Sequence, residues 1–133
     1  MCVVKPHNIF LVRHGQSYGN ADKNTYNTVL DHKIQLTTLG HSQANVVGKT
    51  LSGLINENDP TQFYCSAYWR TRQTFLGIQR HFTNVEYLED PRLREQEVGN
   101  NKGKNESVMR DYDRNGHFYY KYKNGGESCA NVY

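Results

Sequence analysis

An arginine and a histidine, Arg13 and His14, directly follow an apolar run near the start of the sequence, and Gly15 comes next. A guanidinium carries a fixed positive charge and several N–H donors, and an imidazole can take or give a proton near neutral pH. Glycine lets the backbone approach a ligand closely. These residue types suit an anion-binding site. A lone histidine at such a place is more often structural than catalytic, so its role depends on what lies nearby.

Other polar and charged residues are predicted to converge on the same place. Arg70, in "CSAYWRTRQT", falls in the first turn of a helix that follows the second predicted strand. Glu95, in "RLREQEVGN", lies in a loop after the third predicted strand, and Asn20 follows the first. The carboxyl ends of parallel strands share one edge of a sheet, where ligands bind in open α/β folds. We therefore expect one crevice that holds positive charge, a carboxylate and an amide donor.

The elements that would position these residues alternate between strand and helix. Consecutive apolar residues over 9–12 are typical of a strand buried on both faces. The remaining predicted elements are strands over 62–66 and 85–88, a short helix starting at Ser17, and helices from Thr37 or Thr38 to Ile55 and over 67–82. This alternation predicts an α/β fold, a mostly parallel sheet in a three-layer α/β/α arrangement.

Apolar residues at helical spacing predict which helix faces are buried. For the first long helix these residues are Ala44, Val47, Leu51, Leu54 and Ile55. For the second they are Trp69, Phe75, Leu76 and Ile78.

Length and charge limit the classes of function. The 133 residues suit a single domain, and the net charge of +3 is compatible with an anionic small substrate. The nearest approach to a nucleic-acid footprint is the segment from Arg110 to Lys123, where basic and aromatic residues alternate. Asp111 and Asp113 dilute its charge, which argues against a nucleic-acid partner.

Cysteine usage and hydropathy suggest the compartment. The three cysteines are widely spaced and no secretory signal precedes them, a pattern typical of a reduced intracellular protein. No window approaches the ~18 apolar residues of a membrane span. We therefore predict a cytoplasmic protein with no membrane partner. No pair of cysteines or histidines has the spacing of a zinc site, so no metal is predicted.

Four ordered motifs carry a resemblance to a known family: "LVRHGQSYGN", "LTTLGHSQA", "CSAYWRTRQT" and "LREQEVG". Together they resemble the histidine phosphatase superfamily, the phosphoglycerate-mutase-like proteins, over nearly the whole chain. The later stretch "GHFYYKYKNGGESCANVY" is similar to short plant and fungal phosphatase-like members of that superfamily. The resemblance implies the three-layer α/β/α fold and favours a phosphatase over a mutase.

The resemblance also implies a role for each residue of the predicted crevice. His14 is the expected nucleophile, forming a phosphohistidine, and Glu95 the general acid that protonates the leaving group and later activates water. The catalytic residues implied are His14, Glu95, Arg13 and Arg70, and the phosphate-binding residues are Arg13, Asn20, Arg70 and Ser17. No cofactor and no metal are implied, because the two arginines supply positive charge.

Each of these residues also has a structural explanation. Arg70 could be a surface charge, Glu95 could pair with Arg92 or Arg94, and Asn20 could cap a helix. Taken one at a time, these simpler explanations are favoured. Taken with the resemblance, convergence on one crevice favours phosphate binding.

One part of the family pattern has no counterpart here. The superfamily carries a second catalytic histidine in a His-Gly motif after a further strand, and no histidine before Tyr133 fits that motif. We expect the single domain, residues 1–133, to lack that strand and that histidine. Three interpretations stay open: a fragment of a longer product, a short protein that completes its sheet as a homodimer, and a non-catalytic phosphate-binding module.

The predicted function is hydrolysis of a phosphomonoester, without a metal, through a phosphohistidine at His14. The expected substrate is a phosphorylated small molecule or a phosphorylated protein. Two alternatives remain: phosphoryl transfer of the phosphoglycerate mutase type, and a catalytically impaired phosphate-binding or regulatory protein.

Overall fold

One strand–helix–strand unit organises the chain in the computed structural model, which describes residues 5–56, 58–83, 85–97, 117–122 and 125–132. Its helices and strands are α1 (Tyr18–Ala21), α2 (Thr25–Thr28), α3 (Thr38–Leu54), β1 (Phe63–Cys65), α4 (Trp69–Gln79) and β2 (Tyr87–Glu89). Single turns of 3₁₀ helix cover Asp31–Lys33, Pro91–Leu93 and His117–Tyr119, and a one-turn α-helix covers Cys129–Val132.

The two strands pair in parallel, with Phe63 opposite Tyr87 and Cys65 opposite Glu89. Helix α4 lies between them in the sequence and forms the crossover that parallel pairing requires. Phe75 of α4 contacts both strands, with its ring centroid 5.6 Å from that of Phe63 and 4.5 Å from that of Tyr87. The second and third predicted strands, their parallel direction and the α/β class are confirmed.

Helix α3 begins where Thr37 caps it, since the Thr37 hydroxyl accepts a hydrogen bond from Gly40 N at 3.1 Å. It packs on α4 through small residues. A Cβ on Gly77 would come within 2.7 Å of the Ala44 side chain, and one on Gly48 within 2.8 Å of Ile78 Cα. The two helix backbones therefore lie close together, which fixes the first turn of α4 against the residues that precede α3.

The burial prediction for α3 is confirmed at its centre and wrong near its end. Ala44 and Leu51 are buried, whereas Val47 and Ile55 are half-buried. Leu54 is 64 % exposed, contrary to prediction. In the described residues α4 covers the earlier turns of α3, and the final turn extends beyond that contact.

The burial prediction for α4 is confirmed for Phe75 and Ile78 and wrong for Trp69 and Leu76, which are 45 % and 51 % exposed. Polar residues take the inward positions instead, at helical spacing. Arg70 and Thr74 are both buried. The helix is therefore rotated so that its first turn presents a guanidinium to the interior.

The predicted strand over residues 9–12 is wrong for the described chain. Ile9 is 76 % and Leu11 is 94 % exposed, and the segment takes part in no strand pairing with the rest of the described residues. A groove of 340 Å³ separates it from α3, lined by Phe10, Leu11, Val12, Arg13, Val47, Thr50 and Leu51. A continuous apolar run indicates a preference for burial, but a strand also needs a neighbouring backbone to form a ladder.

One predicted segment is described only in part. The basic and aromatic segment from Arg110 to Lys123 lies outside the described residues except for 117–122.

Of the described helices, none has the length and apolar character needed to cross a bilayer. Cys65 and Cys129 are free thiols.

Candidate active site

The backbone after His14 is held where the amino ends of α3 and α4 meet. Gly15 N donates a hydrogen bond to the Thr74 hydroxyl at 3.1 Å, and that hydroxyl donates to the Arg70 carbonyl at 2.7 Å. A Cβ on Gly15 would lie 2.4 Å from the Gly40 carbonyl oxygen, and one on Gly40 would lie 2.1 Å from the Gln16 carbonyl oxygen. Glycine is therefore required at both positions, and the contact fixes the backbone that carries His14.

The hydrogen bond of the His14 ring settles its tautomer. Nδ1 lies 2.7 Å from the carbonyl oxygen of Gly15, and because a carbonyl only accepts, Nδ1 must carry the proton. In the neutral ring the lone pair is then on Nε2. Burial lowers the pKa of His14; the bond to Gly15 opposes this, Arg70 and Arg13 lower the pKa further, and Glu95 raises it. The net shift favours a neutral ring near neutral pH.

The charges that act on the His14 pKa show which predicted residues share its surroundings. Arg13, Arg70 and Glu95 all do so. The structure thus places the other three residues predicted to be catalytic near enough to His14 for their charges to act on its ring. Arg13 is exposed and follows the exposed 9–12 segment.

Arg70 is buried and oriented by a residue that sequence analysis missed. Its Nη1 donates to Asp31 Oδ1 and to the Asp31 carbonyl oxygen, both at 2.8 Å, and both side chains are 5 % exposed. The guanidinium carbon lies 4.7 Å from the centre of the Tyr68 ring. Within the described chain, Nη1 makes all the hydrogen bonds of this guanidinium, so Nε and Nη2 are left for a ligand. Arg70 is therefore not a surface charge.

Ser17 and Asn20 form a capping box at the start of α1. Asn20 Oδ1 accepts from Ser17 N at 3.0 Å and from Ser17 Oγ at 3.1 Å, and Asn20 N donates to Ser17 Oγ at 3.3 Å. The helix-capping explanation for Asn20 therefore holds. Of the side-chain amide, the capping bonds use only the oxygen. Asn20 is exposed, and its Nδ2 donor has no hydrogen bond within the described residues. Ser17 is fully buried, so it supports the turn, and its direct contact with phosphate stays a prediction.

The arginines beside Glu95 bind other carboxylates. Asp90 Oδ1 accepts from Arg92 Nε at 2.9 Å. Arg94 makes two bonds to Glu127, from Nη1 to Oε2 at 2.6 Å and from Nη2 to Oε1 at 2.7 Å. Glu95 itself is exposed and acts on His14 through its charge. The structural explanation that Glu95 pairs with Arg92 or Arg94 is therefore wrong.

Tyr68 connects the Arg70 side of the site to the Glu95 loop. Its hydroxyl donates to Glu97 Oε1 at 3.2 Å, while its ring lies against the Arg70 guanidinium. Burial, followed by the neighbouring Glu97 charge, raises the pKa of Tyr68 to about 12. The hydroxyl is therefore a permanent donor at physiological pH.

Sequence reasoning missed Asp31, Thr74 and Glu127. Thr74 lies one helical turn after Arg70, so the spacing could have indicated it. Asp31 and Glu127 bind partners 39 and 33 residues away, and no local pattern signals such pairs. Among the residues that the structure describes, no group of three His, Cys, Asp or Glu side chains is placed to hold a metal ion.

Comparison with protein families gives one match that covers most of the chain. The sequence model described as the histidine phosphatase superfamily (branch 1) matches residues 9–133. This range includes each of the site residues described above.

Comparison with individual proteins gives relatives of two kinds. Phosphoglycerate mutase-like protein AT74 of Arabidopsis thaliana is 41 % identical over 138 residues, covering 96 % of this chain and 43 % of the relative. Broad-range acid phosphatase DET1 of Saccharomyces cerevisiae is 25 % identical over 222 residues, covering 97 % of this chain and 66 % of the relative. The chain spans about half the length of the curated plant relatives it matches, which it covers to 43 % and 50 %.

A solved structure shows the same fold. Mycobacterial glucosyl-3-phosphoglycerate phosphatase, in a structure with VO3, superimposes with a TM-score of 0.64 at 25 % identity. The alignment covers 90 % of this chain and 56 % of that protein.

Proposed function

The chain belongs to the histidine phosphatase superfamily, and on that premise we propose that it hydrolyses phosphomonoesters through a phosphohistidine formed on His14. The observation that carries the proposal is the hydrogen bond from His14 Nδ1 to the Gly15 carbonyl oxygen, at 2.7 Å. It places the lone pair of the neutral ring on Nε2, the atom that would attack phosphorus. The lowered pKa of His14 keeps that lone pair available near neutral pH.

In the first step a bond forms between His14 Nε2 and phosphorus while the ester P–O bond breaks. Glu95 donates its proton to the departing oxygen, which leaves as an alcohol. In the second step water attacks the phosphohistidine, Glu95 takes a proton from that water, and His14 is released with inorganic phosphate. Each residue thus returns to its starting state.

Positive charge and neutral donors would hold the phosphoryl oxygens during both steps. Only Nη1 of Arg70 bonds to Asp31, so Nε and Nη2 are left for the phosphoryl oxygens. Arg13 adds a second guanidinium. Asn20 Nδ2 would add a neutral donor. Guanidinium groups fixed in advance stabilise developing negative charge without reorganising during the reaction. These groups support a mechanism that needs no metal ion.

We propose a phosphorylated small molecule or a phosphorylated protein side chain as the substrate. The acid phosphatase and the glucosyl-3-phosphoglycerate phosphatase among its relatives support hydrolysis. The names of the Arabidopsis relatives favour phosphoryl transfer of the mutase type as a second candidate. In that reaction the phosphohistidine would pass its phosphoryl group to a second alcohol instead of water.

The test compares the unaltered chain with His14→Ala in hydrolysis of p-nitrophenyl phosphate, with and without a chelator. A matched control is His41→Ala, since His41 is exposed on α3. We expect turnover that survives the chelator, disappears in His14→Ala and persists in His41→Ala. Turnover by His14→Ala would overturn the proposal. Phosphate binding without turnover in the unaltered chain would favour a binding protein. With glycerol added as an acceptor alcohol, release of a phosphorylated alcohol in place of phosphate would favour the mutase reaction.

A further inference from the structure

We propose that Glu127 is a positioning residue that aims Glu95 at the leaving-group oxygen. It does so through a set of contacts that we call the Glu127 latch, formed by Arg94, Gln96, Glu97 and Glu127. The inference rests on the proposed function, because it assigns Glu127 a task in the step that Glu95 performs.

The Glu127 side chain holds the loop on both sides of Glu95. Its carboxylate receives two hydrogen bonds from Arg94, at 2.6 and 2.7 Å. It also accepts a bond from the backbone N of Glu97 at 3.1 Å. One carboxylate therefore binds the residue before Glu95 and the second residue after it.

The Glu127 backbone adds contacts to the same loop and one contact to Tyr122. Glu127 N donates to the Glu97 carbonyl oxygen at 2.7 Å. The Glu127 carbonyl oxygen accepts from Gln96 Nε2 at 2.9 Å and from Tyr122 N at 3.3 Å. Arg94, Gln96 and Glu97, the neighbours of Glu95 in the sequence, thus all bind Glu127.

The Glu95 side chain takes no part in this network. Its carboxylate makes no hydrogen bond within the described residues, and its charge acts on His14. The latch therefore restrains the backbone on each side of Glu95 and leaves the carboxylate for a substrate. This arrangement suits a proton donor, because a displacement of about 1 Å in a reacting group can cost about 10²-fold in rate.

Solvent exposure argues that the latch acts on geometry more than on stability. The side chains of Arg94 and Glu127 are 32 % and 25 % exposed, and ion pairs near the surface contribute little to folding. A bidentate pair nevertheless has a defined direction. Arg94 also lowers the pKa of Glu127, which keeps the carboxylate charged. We therefore expect its removal to reduce turnover and to leave the protein folded.

The experiment uses two substrates that differ in their need for a proton donor. p-Nitrophenolate leaves readily without protonation, whereas the alkoxide of an alkyl phosphate such as β-glycerophosphate does not. Loss of general acid catalysis costs about 10²–10⁴-fold. Compared as kcat/KM, which reports formation of the phosphohistidine and not its later hydrolysis, Glu95→Gln should therefore slow the alkyl phosphate by this factor and the nitrophenyl ester far less. Glu127→Ala should show the same preference, with a loss of about 10-fold or more on the alkyl phosphate.

A double variant tests whether Glu127 acts through Glu95. In the chain carrying both Glu95→Gln and Glu127→Ala, the rate with β-glycerophosphate should equal that of Glu95→Gln alone, because the proton donor that Glu127 positions is already absent. The matched control is Glu89→Gln, which breaks the ion pair between Arg72 and Glu89 at comparable exposure, 37 % and 35 %. This control should leave both rates unchanged.

Equal slowing of both substrates by Glu127→Ala, or losses that multiply in the double variant, would overturn the inference. Should Glu127→Ala unfold, Arg94→Lys supplies the same test, because lysine keeps the charge but cannot make both bonds. Failure of the proposed function is recognised separately, as turnover by His14→Ala or an absence of leaving-group preference in Glu95→Gln.

Discussion

The two sides of the candidate site are built in different ways. On the side that we propose binds phosphate, called the phosphate-binding side below, Arg70 and Asp31 form an ion pair whose side chains are 5 % exposed. On the side that we propose transfers the proton, Arg94 and Glu127 form an ion pair whose side chains are 32 % and 25 % exposed. The first pair lies in the interior beside the contact of α3 with α4, and the second holds a loop at the surface.

This difference indicates which properties each side controls. Removing one member of a buried ion pair is strongly destabilising, because the other charge is left without a partner in the interior. A charge pair near solvent contributes little to folding, so its effect can be confined to geometry. We therefore expect changes on the phosphate-binding side to alter stability and changes in the Glu127 latch to alter turnover.

The largest expected effect comes from removing Asp31. Asp31→Ala leaves the buried Arg70 charge without its carboxylate, which should lower the free energy of unfolding by about 3–5 kcal/mol. Urea denaturation, followed by circular dichroism, measures this loss as a lower midpoint at an unchanged slope.

The control for Asp31→Ala is Glu89→Ala, which removes the half-exposed partner of Arg72. Its cost should be about 1 kcal/mol or less. Equal losses in the two variants would show that burial of the Arg70 pair is not what distinguishes the two sides of the site.

A second, smaller effect concerns the close contact between the His14 loop and α3. Gly40→Ala would place a Cβ 2.1 Å from the Gln16 carbonyl oxygen, so the backbone must shift, at a cost of about 1–3 kcal/mol. The displaced loop should also reduce phosphatase activity. The melting temperature and the rate with p-nitrophenyl phosphate measure the two effects.

Gly53→Ala is the matched control within the same helix. Nothing lies within 4 Å of a Cβ at Gly53, and alanine is favoured over glycine in helices by about 0.5–1 kcal/mol. We expect a small rise in melting temperature and no change in rate. Comparable destabilisation by both substitutions would contradict the contact at Gly40.

A third effect tests whether the two sides of the site are coupled through Tyr68. Tyr68→Phe removes the hydrogen bond to Glu97 and keeps the ring against Arg70. We expect a loss of about 1 kcal/mol in stability. Inhibition by inorganic phosphate should stay the same, because the ring still lies against Arg70. Hydrolysis of β-glycerophosphate should slow, because Glu97 in the Glu95 loop loses a hydrogen bond. Weaker phosphate inhibition would instead mean that the Tyr68 hydroxyl also orients Arg70.

The smallest expected effect is a pH dependence set by His14. Its pKa is lowered in the folded protein, mainly by burial, from a usual value of 6.5. Above 6.5 the ring is neutral in both states and the shift has no effect on stability. As pH falls below 6.5, the unfolded chain binds the proton first, so the folded protein loses stability until the folded ring is also protonated, and at lower pH the loss stays constant.

Two measurements follow from this shift. The acid limb of kcat/KM should lie below pH 6.5, because the free enzyme needs a neutral ring. The loss of stability on acidification should be smaller in His14→Gln than in the unaltered chain. An acid limb above 6.5 would contradict the assignment of His14 as the buried nucleophile.

Local sequence patterns predicted much of the secondary structure. The strands near 63–65 and 87–89 and the Thr37 cap of α3 were predicted from β propensity, turn residues and helical spacing, all of which act over a few positions. A strand was also predicted over 9–12, the most apolar of the three predicted strand segments, and this prediction is wrong for the described chain. Pairing depends on a neighbouring backbone, which a local pattern does not report.

The sequence by itself determined the family and the α/β class, and it singled out His14, Arg13, Arg70 and Glu95 as candidate site residues, because ordered motifs and short-range periodicity record them directly. The tertiary structure alone decided how those residues are held. Arg70 is buried against a carboxylate 39 residues earlier, and the Glu95 loop is bound by a carboxylate 33 residues beyond Arg94. Such pairs form when packing brings distant segments together, and the desolvation that gives them their different strengths exists only in the folded protein.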